Sequence, residues 1–278
     1  MLKPLDAVLV KTSLVDYPER VAAACFLRGC NLRCPYCYNT ELVEASQAQD
    51  AANQKASQDP NGGARQPHDQ PQFVSLQDII AHLKKRANVL SGFVISGGEP
   101  LCHPDSVRDL ILEARSLGYK IKLDTNGSFP DRLQKLLDDP AVRPDYVALD
   151  VKTSPARYDE LSAKDVRVKP EHDSSSAHVI ARLDRAISQK IIDSIKIVSA
   201  LPADAREFRT VLYPPLVGRA QIQEIAALLP KDARWYFANF MNGHCLSAAA
   251  EKVAPYNDAE TAELVELAQA NINGAELR

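Results

Sequence analysis

Cys30, Cys34 and Cys37 fall within eight consecutive positions, in the stretch GCNLRCPYCYN. Cysteines spaced this closely indicate a bound metal ion, a redox disulfide or an iron–sulfur cluster. A structural zinc site usually has four ligands, from two Cys-x-x-Cys pairs or from one pair and two histidines, and this sequence has no second pair. Three thiolates can hold three irons of a cubane cluster and leave the fourth iron open. The spacing therefore favours a cluster over zinc.

Two other interpretations of the cysteines fit less well. The CPYC stretch could be a thioredoxin-like redox pair, but Cys30 would then have no role. A disulfide framework is disfavoured because three of the six cysteines are clustered and three are isolated, which suits metal binding in a reducing compartment better. Cys25 lies within an apolar stretch and is most simply a core residue.

Three further motifs follow apolar stretches that are typical of strands. SGGEP has two glycines, which let a ligand approach the backbone closely, and Glu99, which can accept hydrogen bonds from an ammonium group. LDTNG ends its strand with Asp124 and Thr125, and LDVK ends another with Asp150 and Lys152. Each motif alone could be a glycine turn or a helix cap. Together with the cysteines, they indicate one site at the ends of neighbouring strands.

These motifs need a fold that brings strand ends together. The candidate strands are 21–27, 92–97, 119–125, 145–152, 206–213 and 233–240. The candidate helices are 75–90, 104–117, 130–138, 219–229 and 257–271. Residues 192–201 are rich in β-branched residues, but Ile191, Ile195 and Val198 have helical spacing, so this segment fits either a strand or a helix. The alternation predicts an α/β fold with a parallel sheet, as an open, partial (β/α)6 barrel with its chemistry at the carboxyl ends of the strands.

The domain organisation is expected to be simple. The chain has 278 residues, 45% of them hydrophobic, which is enough for one domain spanning 1–278. Residues 45–72 lack aromatic side chains and are rich in Gln, Asp, Asn, Ala and Pro, which predicts a flexible insert. Residues 163–191 contain VRVKPEHD and VIARLDRAIS, which look like translated copies of a mobile repeat element, and such an insert is tolerated at an exposed connection. His172 and His178, within it, are then expected in solvent.

Composition excludes some classes of partner. The formal net charge is -3 and acidic and basic residues are well mixed, so no basic stripe suggests nucleic acid binding. No apolar run approaches the length of about 20 residues that a membrane span needs. The first twenty residues show no signal-peptide pattern. We expect a soluble, cytoplasmic protein.

The cysteine triplet, SGGEP, LDTNG and LDVK resemble the motifs of the radical S-adenosylmethionine (radical SAM) enzymes. Within that superfamily, the chain is similar to the activating enzymes of glycyl radical proteins. KTSLVDYPERVAAACFLRGCNLRCPYCYN, together with EFRT, most resembles the anaerobic ribonucleoside-triphosphate reductase activating proteins. The resemblance covers nearly the whole chain except the two predicted inserts.

The resemblance implies a [4Fe-4S] cluster on Cys30, Cys34 and Cys37, with the fourth iron chelated by the amino and carboxylate groups of S-adenosylmethionine. It also implies seven residues that contact the cofactor, namely Tyr36, Asn39, Gly97, Gly98, Glu99, Asp124 and Lys152. Asp124, Thr125 and Asp150 match residues that bind a monovalent cation in some glycyl radical activators, and oxygen ligands suit a hard cation.

The implied function is reductive cleavage of S-adenosylmethionine to a 5′-deoxyadenosyl radical, which installs a glycyl radical on an anaerobic ribonucleoside-triphosphate reductase. No catalytic side chain beyond the cluster and the cofactor is expected. A low-potential donor such as flavodoxin or ferredoxin would supply the electron. One alternative is a radical SAM enzyme that acts on a small molecule, similar to 7-carboxy-7-deazaguanine synthase. A more distant alternative is a non-enzymatic zinc-binding interaction module.

Some residues depart from the family pattern or have no assigned role. The family often has His where this chain has Tyr38, and Pro where it has Thr40. Arg209, in EFRT, could neutralise cofactor charge or could pair with Glu207. His244 is left without a role.

Overall fold

The structure is a computed structural model that describes residues 5–43, 72–161 and 176–278, with the stretch 176–186 described by its backbone alone. Nearly all of the predicted insert at 45–72 and most of the one at 163–191 lie outside the described residues or side chains, so both inserts stay predictions. Within the part that is described, no helix combines the length and apolarity of a membrane span.

Nine strands of the described chain form one sheet, in the order β3-β1-β2-β4-β5-β6-β7-β8-β9. All neighbours from β2 to β9 pair in parallel, whereas β1 pairs antiparallel with both β2 and β3. The strands are β1 (Asp6–Ser13), β2 (Ala22–Leu27), β3 (Phe73–Ser75), β4 (Gly92–Gly97), β5 (Lys120–Thr125), β6 (Tyr146–Asp150), β7 (Arg206–Leu212), β8 (Arg234–Asn239) and β9 (Gly274–Leu277).

Seven α-helices connect or follow these strands in the described residues. They are α1 (Thr40–Val43), α2 (Leu76–Arg86), α3 (Pro104–Ser116), α4 (Pro130–Asp138), α5 (Ser176–Ser199), α6 (Arg219–Ala226) and α7 (Asp258–Gln269). The predicted α/β class and partial barrel are confirmed, with all six predicted strands present. The sequence prediction omitted β1, β3 and β9. Two of these have only three and four residues, which is too short for a periodic pattern to show.

The helices begin where local sequence favours them. Ser75 caps α2: its Oγ accepts a hydrogen bond from the Asp78 N–H at 3.2 Å, and Asp78 Oδ2 accepts one from the Ser75 N–H at 3.1 Å. Pro104 and Pro130 start α3 and α4, as expected for a residue that has no N–H to donate. Each of these helices packs its apolar face on the outer side of the sheet.

The segment that fitted either a strand or a helix is helical, as part of α5. Ile191, Ile195 and Val198 are buried on one face of this helix. Ser194 Oγ donates to the Gly127 carbonyl at 2.6 Å, and Ser188 Oγ donates to the Pro155 carbonyl at 2.5 Å. The helix therefore fixes the loops that follow β5 and β6.

The strands β5, β6 and β7 have two unlike faces. Ile121, Leu123, Val147, Leu149 and Phe208 point to the helices and are fully buried in the main apolar core. The alternating positions, which face the barrel interior, carry the charged residues of LDTNG, LDVK and EFRT. Strand periodicity thus places those charges together on the inner face.

Candidate functional site

A cavity of about 290 Å³ lies where the cysteine loop, residues 28–39 between β2 and α1, meets the ends of β4, β5, β6 and β7. All twelve residues that the sequence singled out line it: Cys30, Cys34, Tyr36, Cys37, Asn39, Gly97, Gly98, Glu99, Asp124, Thr125, Asp150 and Lys152. Tyr38 and Arg209 line it too, whereas His244 is exposed and is not part of its lining. The sequence motifs therefore converge on one place.

The cysteine loop is held at its base by backbone hydrogen bonds. The Gly98 N–H donates to the Leu27 carbonyl at 2.9 Å, and the Glu99 N–H donates to the Gly29 carbonyl at 2.8 Å. On the other side, the Gly29 N–H donates to the Leu42 carbonyl at 2.7 Å. The end of β4 and the helix α1 thus fix the start of the loop from both sides.

The two glycines of SGGEP are required by this packing. A Cβ at Gly97, where φ is +135°, would lie 2.2 Å from the Leu27 carbonyl oxygen, and one at Gly98 would lie 2.3 Å from that of Gly29. The sequence prediction attributed these glycines to close approach of a ligand. In the structure, the groups that approach are the backbone of Leu27, at the end of β2, and that of Gly29, in the cysteine loop, although both glycines also line the cavity.

The three thiols lie in a poorly solvated setting, and the charge of Lys152 acts on all of them. Burial raises the pKa of the Cys34 thiol to about 12 and also raises the pKa of Cys30 and Cys37, while the charge of Lys152 opposes the rise at all three. Free thiols are therefore protonated here, and thiolates need a positive partner. Lys152 supplies that charge from the end of β6.

Glu99 is fully buried and ties β4 to β5. Its Oε1 accepts hydrogen bonds from the Leu101 N–H at 2.9 Å and from Thr125 Oγ1 at 2.8 Å, and its Oε2 accepts one from the Asn126 N–H at 2.7 Å. Burial raises the pKa of Glu99 to about 7, and these three donors oppose the rise. Both oxygens of Glu99 therefore already accept hydrogen bonds from the protein. Its predicted contact with an ammonium group stays a prediction.

Six charged side chains on β5, β6 and β7, or just beyond their ends, form what we call the charged cluster. Arg209 bridges two acids, with Nε 2.7 Å from Asp150 Oδ1 and Nη1 3.1 Å from Asp124 Oδ2. Lys152 Nζ lies 2.8 Å from Asp150 Oδ2. The members are Lys122, Asp124, Asp150, Lys152, Glu207 and Arg209.

Lys122 and Glu207 extend the charged cluster below the cavity. The Lys122 ammonium lies 3.2 Å from Asp124 Oδ1 and 3.3 Å from Glu207 Oε1, and both of its partners and Lys122 itself are buried. Arg209 Nη1 is 3.8 Å from Glu207, so its pairing with Asp124 and Asp150 is closer than the predicted pairing with Glu207. Sequence reasoning missed Lys122, although a lysine two positions before Asp124 in an apolar strand is a signal for an inward charge.

Asp150 and Arg209 stabilise each other's ionised forms. Burial opposes ionisation of both side chains, but Arg209 and Lys152 hold the pKa of Asp150 well below its usual range. Asp124, Asp150 and Glu207 in turn raise the pKa of Arg209. Asp150 and Arg209 are therefore both ionised at neutral pH.

Two residues of the cysteine loop contact the C-terminal part of the barrel. Tyr36 is buried, its ring centroid is 4.9 Å from that of Tyr213, and its hydroxyl has no hydrogen-bond partner among the described residues. Tyr38 stacks on Phe240, and its hydroxyl accepts a hydrogen bond from the Met241 N–H at 2.5 Å. Tyr38 therefore has a structural contact that a sequence comparison alone did not suggest.

The donor set of the cavity fits a cubane cluster with a charged organic ligand. Three thiols and a lysine and an arginine line it, and the buried Tyr36 hydroxyl has no partner in the part of the chain that the structure describes. Three sulfur ligands leave one iron for another ligand. Among the described residues, no three His, Cys, Asp or Glu side chains are grouped so as to hold a single metal ion.

The predicted ligands of a monovalent cation already have partners within the protein, and the cation itself stays a prediction. Each carboxylate oxygen of Asp124 and Asp150 lies within 3.2 Å of a lysine or arginine nitrogen. Thr125 Oγ1 donates to Glu99 and accepts from the Gly127 N–H at 3.2 Å.

Comparison with known proteins identifies a matching family model, related sequences and solved structures of similar fold. The model of the radical SAM superfamily matches residues 25–199. A Methanocaldococcus jannaschii protein named "Putative glycyl-radical enzyme activating enzyme" is 26% identical over 84% of this chain and 79% of its own length. A 7-carboxy-7-deazaguanine synthase of Methanopyrus kandleri is 32% identical over 45% of this chain and 46% of its own. The solved structure of TYW1 with a lysine-pyruvate adduct superposes with a TM-score of 0.51 at 13% identity, covering 90% of this chain and 74% of that one, which shows the shared fold alone.

Proposed function

Because the chain belongs to the radical SAM superfamily, we propose that it is an activating enzyme that installs a glycyl radical on a partner protein, an anaerobic ribonucleoside-triphosphate reductase. The observation that carries this proposal is the extent of similarity. The likeness to the M. jannaschii protein spans 84% of the chain, whereas that to the M. kandleri synthase spans 45%.

The superfamily implies a [4Fe-4S] cluster and S-adenosylmethionine, whose bound form supplies the 5′-deoxyadenosyl radical after one-electron reduction. In our proposal, Cys30, Cys34 and Cys37 ligate three irons. Lys152 balances the negative charge of their thiolates, since its ammonium acts on all three cysteines. The base of the loop holds the cysteines in place through its backbone hydrogen bonds to β4.

The other cavity residues contact the cofactor in this proposal. Tyr36 and Asn39 contact it from the cysteine loop. Gly97 and Gly98 present backbone from the end of β4. Glu99 acts by holding β4 against β5. The carboxylate of Asp124 gives a polar contact from β5, and the monovalent cation at Asp124, Thr125 and Asp150 stays a prediction of the sequence.

The test is a radical assay with the partner. The reconstituted protein, reduced anaerobically with flavodoxin, ferredoxin or dithionite in the presence of S-adenosylmethionine, should produce 5′-deoxyadenosine. With the reductase added, it should also produce an electron paramagnetic resonance doublet from a glycyl radical. A reductase in which the radical glycine is replaced by alanine is the control, and it should remain silent. Cofactor cleavage without a radical on any glycyl radical protein would refute the proposal.

A second candidate function is a small-molecule reaction of the 7-carboxy-7-deazaguanine synthase type, favoured by the 32% identity over 125 residues. Mass spectrometry of the same assay, run with the synthase substrate and without a partner protein, distinguishes the two functions. Formation of 7-carboxy-7-deazaguanine would establish the second function. The zinc-module alternative predicts a colourless protein with bound zinc, whereas a cluster gives a brown protein with about four irons per chain.

A further inference from the structure

The place predicted for a monovalent cation already contains positive charge from the protein. Oδ2 of Asp150 accepts a hydrogen bond from Lys152 Nζ at 2.8 Å, and its Oδ1 accepts one from Arg209 Nε at 2.7 Å. On Asp124, Oδ2 accepts a hydrogen bond from Arg209 at 3.1 Å, whereas the Lys122 ammonium lies 3.2 Å from Oδ1 as a charge contact without hydrogen-bond geometry. A hard cation would need these same oxygens as its ligands.

The charges of the cluster balance without an added ion. Asp124, Asp150 and Glu207 carry three negative charges, and Lys122, Lys152 and Arg209 carry three positive ones. Adding a cation would place a fourth positive charge beside the three that already lie against these carboxylates. It would also displace Arg209 from at least one carboxylate, and Arg209 is held by two.

Arg209 is suited to the place of an ion because of its shape and position. Its planar guanidinium carries several N–H donors in fixed directions, so one group can bridge two carboxylates, which a lysine ammonium does with less geometric control. It comes from β7, reaches the ends of both β5 and β6, and lines the cavity. Its charge therefore faces the bound ligand from the same side as a cation held by Asp124 and Asp150 would.

We propose that the Arg209 guanidinium takes the place of the monovalent cation, so that S-adenosylmethionine binds to this enzyme without sodium or potassium. Arg209 is then a positioning residue that orders Asp124 and Asp150 and presents positive charge to the cofactor. This inference rests on the cofactor site of the proposed function and does not depend on the identity of the protein partner.

The test measures cofactor affinity in different salts. The anaerobically reconstituted protein is titrated with S-adenosylmethionine in tetramethylammonium, sodium and potassium chloride at equal ionic strength, and binding is followed by calorimetry. We expect the wild-type dissociation constants to agree within about twofold. A wild-type affinity that rises tenfold with sodium or potassium would overturn the proposal.

Arg209→Met supplies the complementary result, because it opens the space and frees one oxygen of each carboxylate, Oδ1 of Asp150 and Oδ2 of Asp124. This variant should bind the cofactor at least tenfold more weakly in tetramethylammonium, and sodium or potassium should restore at least fivefold of that loss. Equal affinity of Arg209→Met and wild type in all three salts would also overturn the proposal. Arg108→Met, at an exposed pair with Asp139, is the matched control and should behave as wild type.

A readout without the cofactor keeps the proposal testable even if Arg209→Met does not fold. Thallium(I) is a monovalent ion that nuclear magnetic resonance detects directly. The thallium resonance should not broaden when wild-type protein is added. Broadening that potassium reverses would show a monovalent cation site and would refute the proposal. The salt and thallium measurements use no partner protein, so a negative glycyl radical assay leaves their result unchanged.

Discussion

The cysteine half of the cavity, at the ends of β2 and β4, is held mainly by backbone hydrogen bonds, whereas the charged half, at the ends of β5, β6 and β7, is held by side-chain ion pairs. In the cysteine half, the backbone N–H groups of Gly98 and Glu99 donate to the carbonyls of Leu27 and Gly29. In the charged half, Arg209 and Lys122 each join carboxylates from two strands. The two halves therefore respond to different changes.

This difference reflects what each half has to do. A cluster needs three sulfur atoms in a fixed arrangement, and a loop fixed through its backbone provides that whatever the neighbouring side chains are. A ligand with a sulfonium and a carboxylate needs a mixed-charge lining, and only side chains provide that. Glu99 and Lys152 connect the two halves, the first by hydrogen bonds to β5 and the second by its charge near the thiols.

The largest expected effect is on the cysteine half. Cys34→Ala should abolish both the cluster and cofactor cleavage, because two sulfur ligands do not hold a cubane with one open iron. Iron content should fall from about four per chain towards zero, while the circular dichroism spectrum stays that of the folded protein.

Cys25→Ala is the matched control for the cysteine half. Cys25 lies in β2, only a few positions before the loop, but it is fully buried among apolar side chains. This variant should retain the cluster and cofactor cleavage, with only a stability loss typical of a small core deletion. Loss of iron in Cys25→Ala would mean that the ligand assignment is wrong.

The next effect concerns the charged half. Lys122→Met leaves Asp124 and Glu207 without the ammonium that lies between them, and removing one partner of a buried ion pair typically costs about 3–5 kcal/mol. We expect a loss of that order in the free energy of unfolding, measured by urea denaturation under anaerobic, reducing conditions. Iron incorporation should persist at permissive temperature, because the cysteine loop does not depend on Lys122.

Arg108→Met tests whether burial is the reason for the large stability loss expected in Lys122→Met. Arg108 and Asp139 form an exposed pair at 2.6 Å that solvent screens, so its removal should cost far less than the removal of Lys122. Similar losses in the two variants would show that the charged cluster does not stabilise the fold as its burial suggests.

The two halves also differ in how far the sequence predicts them. The cysteine half is encoded in short motifs, so Cys30, Cys34 and Cys37 are recognisable from spacing alone. The charged half is assembled from residues far apart, such as Asp124 and Arg209, which are 85 positions apart and meet only because β5, β6 and β7 are adjacent. Lys122 lies outside the motifs, and EFRT does not show that Glu207 meets Lys122.

The reason for the SGGEP glycines also needed the structure. Local sequence shows that Gly97 and Gly98 allow a close approach, but not which group approaches. The answer depends on the parallel pairing of β2 with β4, which places Leu27 beside Gly97. A sequence therefore predicts which residues line the site better than it predicts what each residue contacts.

A smaller effect is expected at Glu99, which joins the halves. Burial raises the pKa of Glu99 to about 7, so between its ordinary value near 4.5 and about 7 the folded protein keeps a proton that the unfolded chain has released. The free energy of unfolding should therefore fall as pH rises through this window, by up to about 3 kcal/mol. Urea denaturation between pH 5 and about 7.5 measures this slope.

Glu99→Gln removes the titrating group and isolates its contribution. The variant should be less stable than wild type at pH 7.5 or below, because an amide cannot accept all three hydrogen bonds that Glu99 accepts. Its stability should also change less with pH. Parallel curves for wild type and Glu99→Gln would show that Glu99 does not titrate in this window.

The smallest effect concerns Tyr38, which links the cysteine half to the segment after β8. Tyr38→Phe keeps the stacking on Phe240 but removes the acceptor of the Met241 N–H, and the net contribution of one hydrogen bond is about 0.5–1.5 kcal/mol. The same segment also donates from the backbone N–H of Leu246 to the Cys37 carbonyl at 3.0 Å. Because that backbone contact remains, Tyr38→Phe should lower the thermal midpoint by a few degrees and leave the iron content unchanged.

Tyr256→Phe, which loses a comparable hydroxyl contact with the Val217 carbonyl far from the cysteines, is the control. If Tyr38→Phe lost iron while Tyr256→Phe did not, the cysteine half would depend on this side chain as well as on its backbone.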